Sequence, residues 1–212
     1  MEEFDKVYEE EHFRVAIFGS ARIKKGDPNY KLIFNLAKMI SSAGMDIVTG
    51  GGPGLMTAAS EGHHAGRKGK NIHSIGLMIN LPKEDIEATH LDIKKEFNRF
   101  SSRLDNFMRL SNAVVVAPGG VGTLLELIYT WQLMQVKHIC NVPIILFGDM
   151  WFDLVRWIKR WPLKNKLLDI EDLELLFLAK DRRDAFKIIE EAYEGHRKGD
   201  ENFCLNYREH KI

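Results

Sequence analysis

Residues 113–126 read Ala113-Val114-Val115-Val116-Ala117-Pro118-Gly119-Gly120-Val121-Gly122-Thr123-Leu124-Leu125-Glu126, and this stretch decides the fold. A short apolar run followed at once by clustered glycines is the order strand, loop, helix. The glycines let bare backbone N–H groups turn toward an anion, and the helix that follows presents its positive dipole end and unpaired amides to the same point. Thr123 adds a hydroxyl at that helix start. Glu126, four residues after Gly122, projects from the first helical turn, within reach of a sugar rather than of the phosphate. A phosphate cradle with an acid beside a ribose points to nucleotide chemistry.

Working outward, apolar strands alternate with amphipathic helical stretches, the pattern of a parallel sheet covered on both faces. The expected strands are Arg14–Phe18, Met45–Val48, Asn71–Ile79, the run before Pro118, Val142–Phe147 and Leu175–Leu178. The expected helices are Tyr30–Ala43, one from Leu55 to near Gly66, Phe97–Leu110, a long one to about His138, Trp151–Arg160 and Arg182–Tyr193. Pro82 opens a polar segment to Lys95 that reads as a rim or lid, and residues 195–212 read as a mobile or partner-docking tail. The fold class is therefore α/β, a Rossmann-like doubly wound parallel sheet of three layers in a single domain spanning residues 1–212, with its core at about 14–194.

In such a sheet, ligands bind where loops leave the carboxyl ends of the strands. The glycine-containing loops at Gly19-Ser20, at Gly50-Gly51-Gly52-Pro53-Gly54 and at Gly119 all lie at such ends, so folding brings three separated segments together. Two common nucleotide fingerprints are absent. The dinucleotide pattern G-x-G-x-x-G would need glycine where Leu125 or Thr57 stands, and no segment supplies the P-loop G-x-x-x-x-G-K-[S/T].

Composition narrows the setting. The chain has 212 residues, 45% hydrophobic, enough for one substantial core. Thirty Lys plus Arg balance thirty Asp plus Glu, which argues against a nucleic-acid binder working through bulk positive charge. Cys140 and Cys204 are too few and too far apart for a disulfide framework or a cysteine metal site, which fits a cytoplasmic protein. No stretch approaches the roughly 18 apolar residues of a membrane span. Adjacent His63 and His64 cannot share one helical face, so no metal is expected there. Trp131, Trp151, Trp157 and Trp161 read as core or subunit-interface aromatics.

The segment Pro118–Glu126 matches, intact, the P-G-G-x-G-T-x-x-E of the Lonely Guy (LOG) family, the cytokinin riboside 5′-monophosphate phosphoribohydrolases and related nucleotide nucleosidases. Gly50-Gly51-Gly52-Pro53-Gly54-Leu55-Met56 resembles the family's G-G-G-x-x-G-L-M, one residue shorter between the glycines. Gly19-Ser20 matches its first-strand G-S, and Ser74-Ile75-Gly76-Leu77 with Leu81-Pro82 matches a stretch of many bacterial members. The family's catalytic arginine, in R-K-x-x-M/F, falls on Arg103, with Leu104 in place of the lysine. The resemblance runs from about Arg14 to Tyr193.

The resemblance implies a hydrolase that cleaves the N-glycosidic bond of a purine nucleoside 5′-monophosphate, AMP or N6-substituted AMP, to free base and ribose 5-phosphate. Arg103 and Glu126 would be its catalytic residues. Gly19, Ser20, Gly51, Gly52, Gly54, Met56, Gly119, Gly120, Val121, Gly122 and Thr123 would bind the substrate. Arg22, Arg99 and Asp105 are second-rank candidates. No cofactor or metal is implied; the partners are a small-molecule nucleotide and a second copy in a homodimer, with no nucleic acid and no membrane. The competing class is a noncatalytic nucleotide-binding or molybdenum-cofactor-carrier-like protein, which Leu104 leaves open while Arg103 and Glu126 together favour the enzyme. A pyridoxal-phosphate decarboxylase has no supporting lysine motif.

Overall fold

The computed structural model describes residues 3–69, 71–80, 87–140 and 142–199. At its centre lies β1 (Arg14–Phe18), paired with β2 (Asp46–Thr49) on one side and β5 (Ala113–Val116) on the other. Beyond β2 come β3 (Ser74–Ile79) and β4 (Ile93–Phe97); beyond β5 come β6 (Ile144–Phe147) and β7 (Leu176–Ala179). All pairings are parallel, in the order β4-β3-β2-β1-β5-β6-β7. This is the expected Rossmann-like α/β sheet. The chain leaves β1 toward β2 and returns on the other flank as β5, so the switch in strand order, where such sheets open a crevice, falls between β1 and β5.

Alternation along the strands builds both layers. Val15 and Ile17 enter the core shared with α2 (Pro28–Ser42), α3 (Leu55–Gly66) and α8 (Arg182–Arg197), while Ala16 and Phe18 enter the opposite core. That second core takes side chains from α1 (Glu3–Lys6), α4 (Phe100–Leu110), α5 (Val121–Gln135), α6 (Met150–Ile158) and α7 (Ile170–Leu173). Helix starts follow local chemistry. Asp27 accepts the Asn29 amide at 2.8 Å ahead of Pro28 in α2, and Asp181 accepts from Arg183 and Asp184 in α8.

Several boundaries differ from the sequence reading. The polar segment ending at Lys95 runs into the edge strand β4, where Ile93 is buried and Lys94 and Glu96 are exposed. An edge strand with one covered face carries few apolar residues and reads as loop. Of the expected rim, residues 82–86 lie outside the described residues, as does Leu81, while Glu87 lines the cleft. The strand expected from Asn71 begins at Ser74, and the helix expected from Phe97 begins at Phe100 because Phe97 belongs to β4. The helix at Trp151 passes after Ile158 into a π-turn, Lys159–Leu163, around Pro162. α8 continues past Gly195 to Arg197, held by ring contacts of Phe13 with Tyr193 and His196; packing there overrides the low helix propensity of glycine. The remainder of the expected tail, 200–212, lies outside the described residues. Among the described residues no helix is long and apolar enough to cross a membrane.

Candidate active site

The three glycine-containing loops meet at Ser20. Its amide donates to the Pro118 carbonyl at 3.0 Å, joining the loops after β1 and β5, and its carbonyl accepts from the Leu55 amide at 3.0 Å, tying in the start of α3. Gly54 makes that junction possible. Its φ is +70°, and a Cβ there would stand 2.4 Å from the Ser20 carbonyl oxygen, so only glycine lets the chains pass. Above the junction opens a cleft of about 710 Å³.

Of the residues singled out in the sequence, Gly19, Ser20, Gly51, Gly52, Met56, Arg103, Gly120, Val121, Gly122, Thr123 and Glu126 line this cleft, as does Arg22. Gly54 and Gly119 do not. They stand behind its wall, Gly54 at the head of α3 and Gly119 beneath the Thr123 side chain. The Ser20 hydroxyl accepts the Arg22 amide at 3.0 Å, which shapes the loop after β1. Arg99 and Asp105 also stand outside the lining: Arg99 precedes α4 as its cap, and Asp105 accepts the hydroxyl of Tyr129 on α5. Leu104 is buried and likewise off the cleft.

At the cleft wall, α4 and α5 bring Arg103 and Glu126 together, with Arg103 Nη1 3.3 Å from Glu126 Oε1. Arg103 Nε donates to the Leu77 carbonyl of β3 at 2.6 Å, and its guanidinium lies 5.1 Å from the Phe107 ring centre. Both side chains are about nine-tenths buried, 10% and 12% exposed. Burial raises the Glu126 pKa from 4.5 to about 7, opposed by the charge and hydrogen bond of Arg103. Burial lowers the Arg103 pKa, opposed by Glu126. Desolvation thus outweighs mutual attraction for both partners. The carboxyl group is poised to change protonation near neutrality while its partner stays a fixed cation.

Sequence reasoning missed part of this wall. Gly50 passes so close to Arg103 that a Cβ on it would stand 2.3 Å from Nη2. Met78, Asn80, Glu87, Glu96 and Phe100 complete the far side; the strand that presents Glu96 carries three charged residues between Ile93 and Phe97, which left no strand signal in the sequence. None of the four tryptophans lines the cleft. Trp151 is wholly buried, and Trp157 and Trp161 are more than half exposed. His63 is buried and hydrogen-bonded to the Met45 carbonyl at 3.0 Å, and desolvation lowers its pKa to about 4, so it is a neutral packing residue. His64 is exposed and stacks on His90.

The parallel sheet, with glycine-rich loops at its strand ends and a buried Arg–Glu pair in the cleft, places the protein in the Rossmann-like α/β class. The family profile described as "Possible lysine decarboxylase" matches residues 56–189, and the chain belongs to this family, the LOG family. A "Probable cytokinin riboside 5'-monophosphate phosphoribohydrolase" of Oryza sativa subsp. japonica is 33% identical over 131 residues, covering 59% of this chain and 51% of that protein. A "Pyrimidine/purine nucleotide 5'-monophosphate nucleosidase" of Escherichia coli K12 is 33% identical over 113 residues, 49% of this chain and 24% of that protein. The chain thus spans about half of the first relative and a quarter of the second. Among solved structures, the molybdenum cofactor binding protein of Rippkaea orientalis matches with TM-score 0.65 at 17% identity, over 84% of this chain and 96% of that one. The molybdenum cofactor carrier protein of Chlamydomonas reinhardtii matches with TM-score 0.61 at 20% identity, over 86% and 99%. At these identities the structural likeness shows the fold alone.

Proposed function

We propose that the cleft binds a purine nucleoside 5′-monophosphate and hydrolyses its N-glycosidic bond, releasing free base and ribose 5-phosphate. The observation that carries this reading is the buried Arg103–Glu126 pair in the same cleft as the Gly120–Thr123 helix start. The amides and dipole of that helix start hold the phosphate. The C1′–N bond breaks as the base departs, and the Glu126 carboxylate offsets positive charge developing on the ribose. Water then adds to C1′; its proton passes to the Glu126 carboxylate and on to the nitrogen of the departed base, which restores the carboxylate. Arg103 orients Glu126 and the sugar or phosphate oxygens. The two named relatives support the same chemistry, and an N6-substituted substrate would make the product a cytokinin. The reading includes a cytoplasmic homodimer, for which Leu124, Leu125 and Ile128 on α5 offer exposed apolar side chains; light scattering on the purified chain checks the dimer.

The direct test incubates the protein with AMP, GMP, CMP and N6-isopentenyl-AMP, and with the corresponding nucleosides, and follows free base by chromatography. Release from a purine monophosphate but not from nucleosides is the expected result. Bound nucleotide with no release would replace the enzyme with a carrier.

Two further outcomes follow from the site. Because the carboxylate is the working form, kcat/KM is expected to fall as pH drops through about 7, where Glu126 takes its proton, and again near 6, where the substrate phosphate does. An ordinary glutamate would keep its activity down to about 4.5. A single limb near 6 in a profile from pH 5 to 9 would remove Glu126 from this role. Gly50→Ala inserts a Cβ where Nη2 now lies and is expected to lower kcat/KM by about 10²-fold, the cost of a displacement of about 1 Å. Steady-state kinetics beside a melting curve show whether activity falls while the fold persists.

A further inference from the structure

At the amino ends of the strands, roughly 13–17 Å along the sheet from the cleft, three adjacent strands bring other chemistry together. His12 precedes β1, Asp46 opens β2 and His73 precedes β3. Main-chain bonds fix their order: the Asp46 amide donates to the Phe13 carbonyl at 3.0 Å, and the Ile47 amide to the His73 carbonyl at 3.1 Å. Glu10, in the turn between α1 and β1, completes the group. The imidazoles of His12 and His73 lie nearly parallel with ring centres 5.9 Å apart. Glu10, His12 and His73 each offer one donor atom, and the three atoms all lie within 4.8 Å of one another.

Two of these side chains carry buried polar atoms that lack a hydrogen-bond partner among the described residues, Oε2 of Glu10 and Nδ1 of His73. A buried polar atom left unpaired is destabilising, and an ion that it coordinates removes that penalty. The surroundings already balance the other charges. Arg14 donates to the carbonyls of Val7 and Glu10 at 2.7 and 3.0 Å and lies 3.4 Å from Asp46 Oδ2. Asp46, wholly buried, accepts the His73 amide at 2.8 Å and lies 3.1 Å from His12 Nδ1. That carboxylate holds the His12 ring at the amino end of the sheet.

We propose that Glu10, His12 and His73 bind one divalent transition-metal ion of the zinc class. Two imidazoles with one carboxylate suit zinc, cobalt or nickel rather than magnesium or calcium, which take oxygen ligands. Water fills the remaining positions. The ion clips the α1–β1 turn to the start of β3 and stabilises the fold without entering the reaction in the cleft.

The test uses the full chain without a histidine tag, stripped with a chelator and titrated with Zn²⁺, Co²⁺ or Mg²⁺ by calorimetry. One equivalent of Zn²⁺ is expected to bind, with no comparable heat from Mg²⁺. At 100-fold excess over Kd the Tm is expected to rise by roughly 5–10 °C. Bound Co²⁺ should give the visible absorption of nitrogen ligation. His73→Ala and Glu10→Gln should each weaken Zn²⁺ binding at least about tenfold and leave base release from AMP unchanged. Should His73→Ala fail to fold, Glu10→Gln, at a side chain 37% exposed, and the cobalt spectrum of the unaltered protein still decide. No Zn²⁺ uptake, a preference for Mg²⁺, or equal Zn²⁺ affinity in both variants would overturn the proposal, the last by placing the ion elsewhere, such as at the stacked His64 and His90.

Discussion

Glu126→Gln is expected to lower kcat for base release from the preferred monophosphate by about 10²- to 10⁴-fold, the range for removing a charge that acts in the transition state. Substrate binding should survive, because the proposed phosphate contacts are Gly120–Thr123 rather than Glu126, so KM should change much less than kcat. The variant's remaining activity should lose the limb near pH 7. The same substitution reads out on stability. A carboxyl whose folded pKa is raised from 4.5 to about 7 opposes folding once ionised. The penalty is absent below the unfolded value, grows through that window and is complete above about 7. It amounts to on the order of 3 kcal/mol. Glutamine resembles the protonated acid, so the variant should gain stability relative to the unaltered protein between pH 5 and pH 8, measured by urea unfolding at both. Unchanged kcat would end the proposed role of Glu126, and a pH-independent stability difference would end its perturbed titration.

How much of this was legible in the sequence depended on whether the signal was contiguous. Residues 113–126 carry strand, glycine loop, hydroxyl and acid in one run, and the structure places strand, loop and helix as read. Arg103 was reached only by resemblance; nothing in its own helix separates it from a solvated charge such as Arg109. What distinguishes it is the Leu77 carbonyl at the hydrogen-bond distance of its Nε and the bare backbone at Gly50 beside its Nη2, both products of packing between distant elements. Strand β4 was lost because Lys94, Lys95 and Glu96 stand in a row between Ile93 and Phe97, as an edge strand permits, and Glu96 of the cleft wall was lost with it. The Glu10–His12–His73 cluster was invisible because its members are separated by up to 63 residues of sequence and meet only through the parallel order of β1, β2 and β3.

Arg103→Met is expected to lower kcat at pH 7 by about 10²- to 10³-fold, through a route distinct from loss of the acid itself. Arg103 now holds the Glu126 pKa down against burial, by charge and by hydrogen bond. Without it the carboxyl sits above about 7, and less of the protein carries the working carboxylate at neutral pH. The acid limb of kcat/KM should therefore move to higher pH, and part of the lost activity should return at pH 9, whereas Glu126→Gln stays low throughout. Arg103→Lys keeps a charge, but a point charge on a flexible stem cannot reach both the Leu77 carbonyl and Glu126 as the planar fork does. It should fall between the two. Stability follows the same sign: a lone buried carboxylate costs about 3 kcal/mol at pH 8, and the loss shrinks toward pH 5 as Glu126 takes a proton. A limb that stays at about 7 in Arg103→Met would show that Arg103 does not control the acid, leaving it only a phosphate or sugar contact.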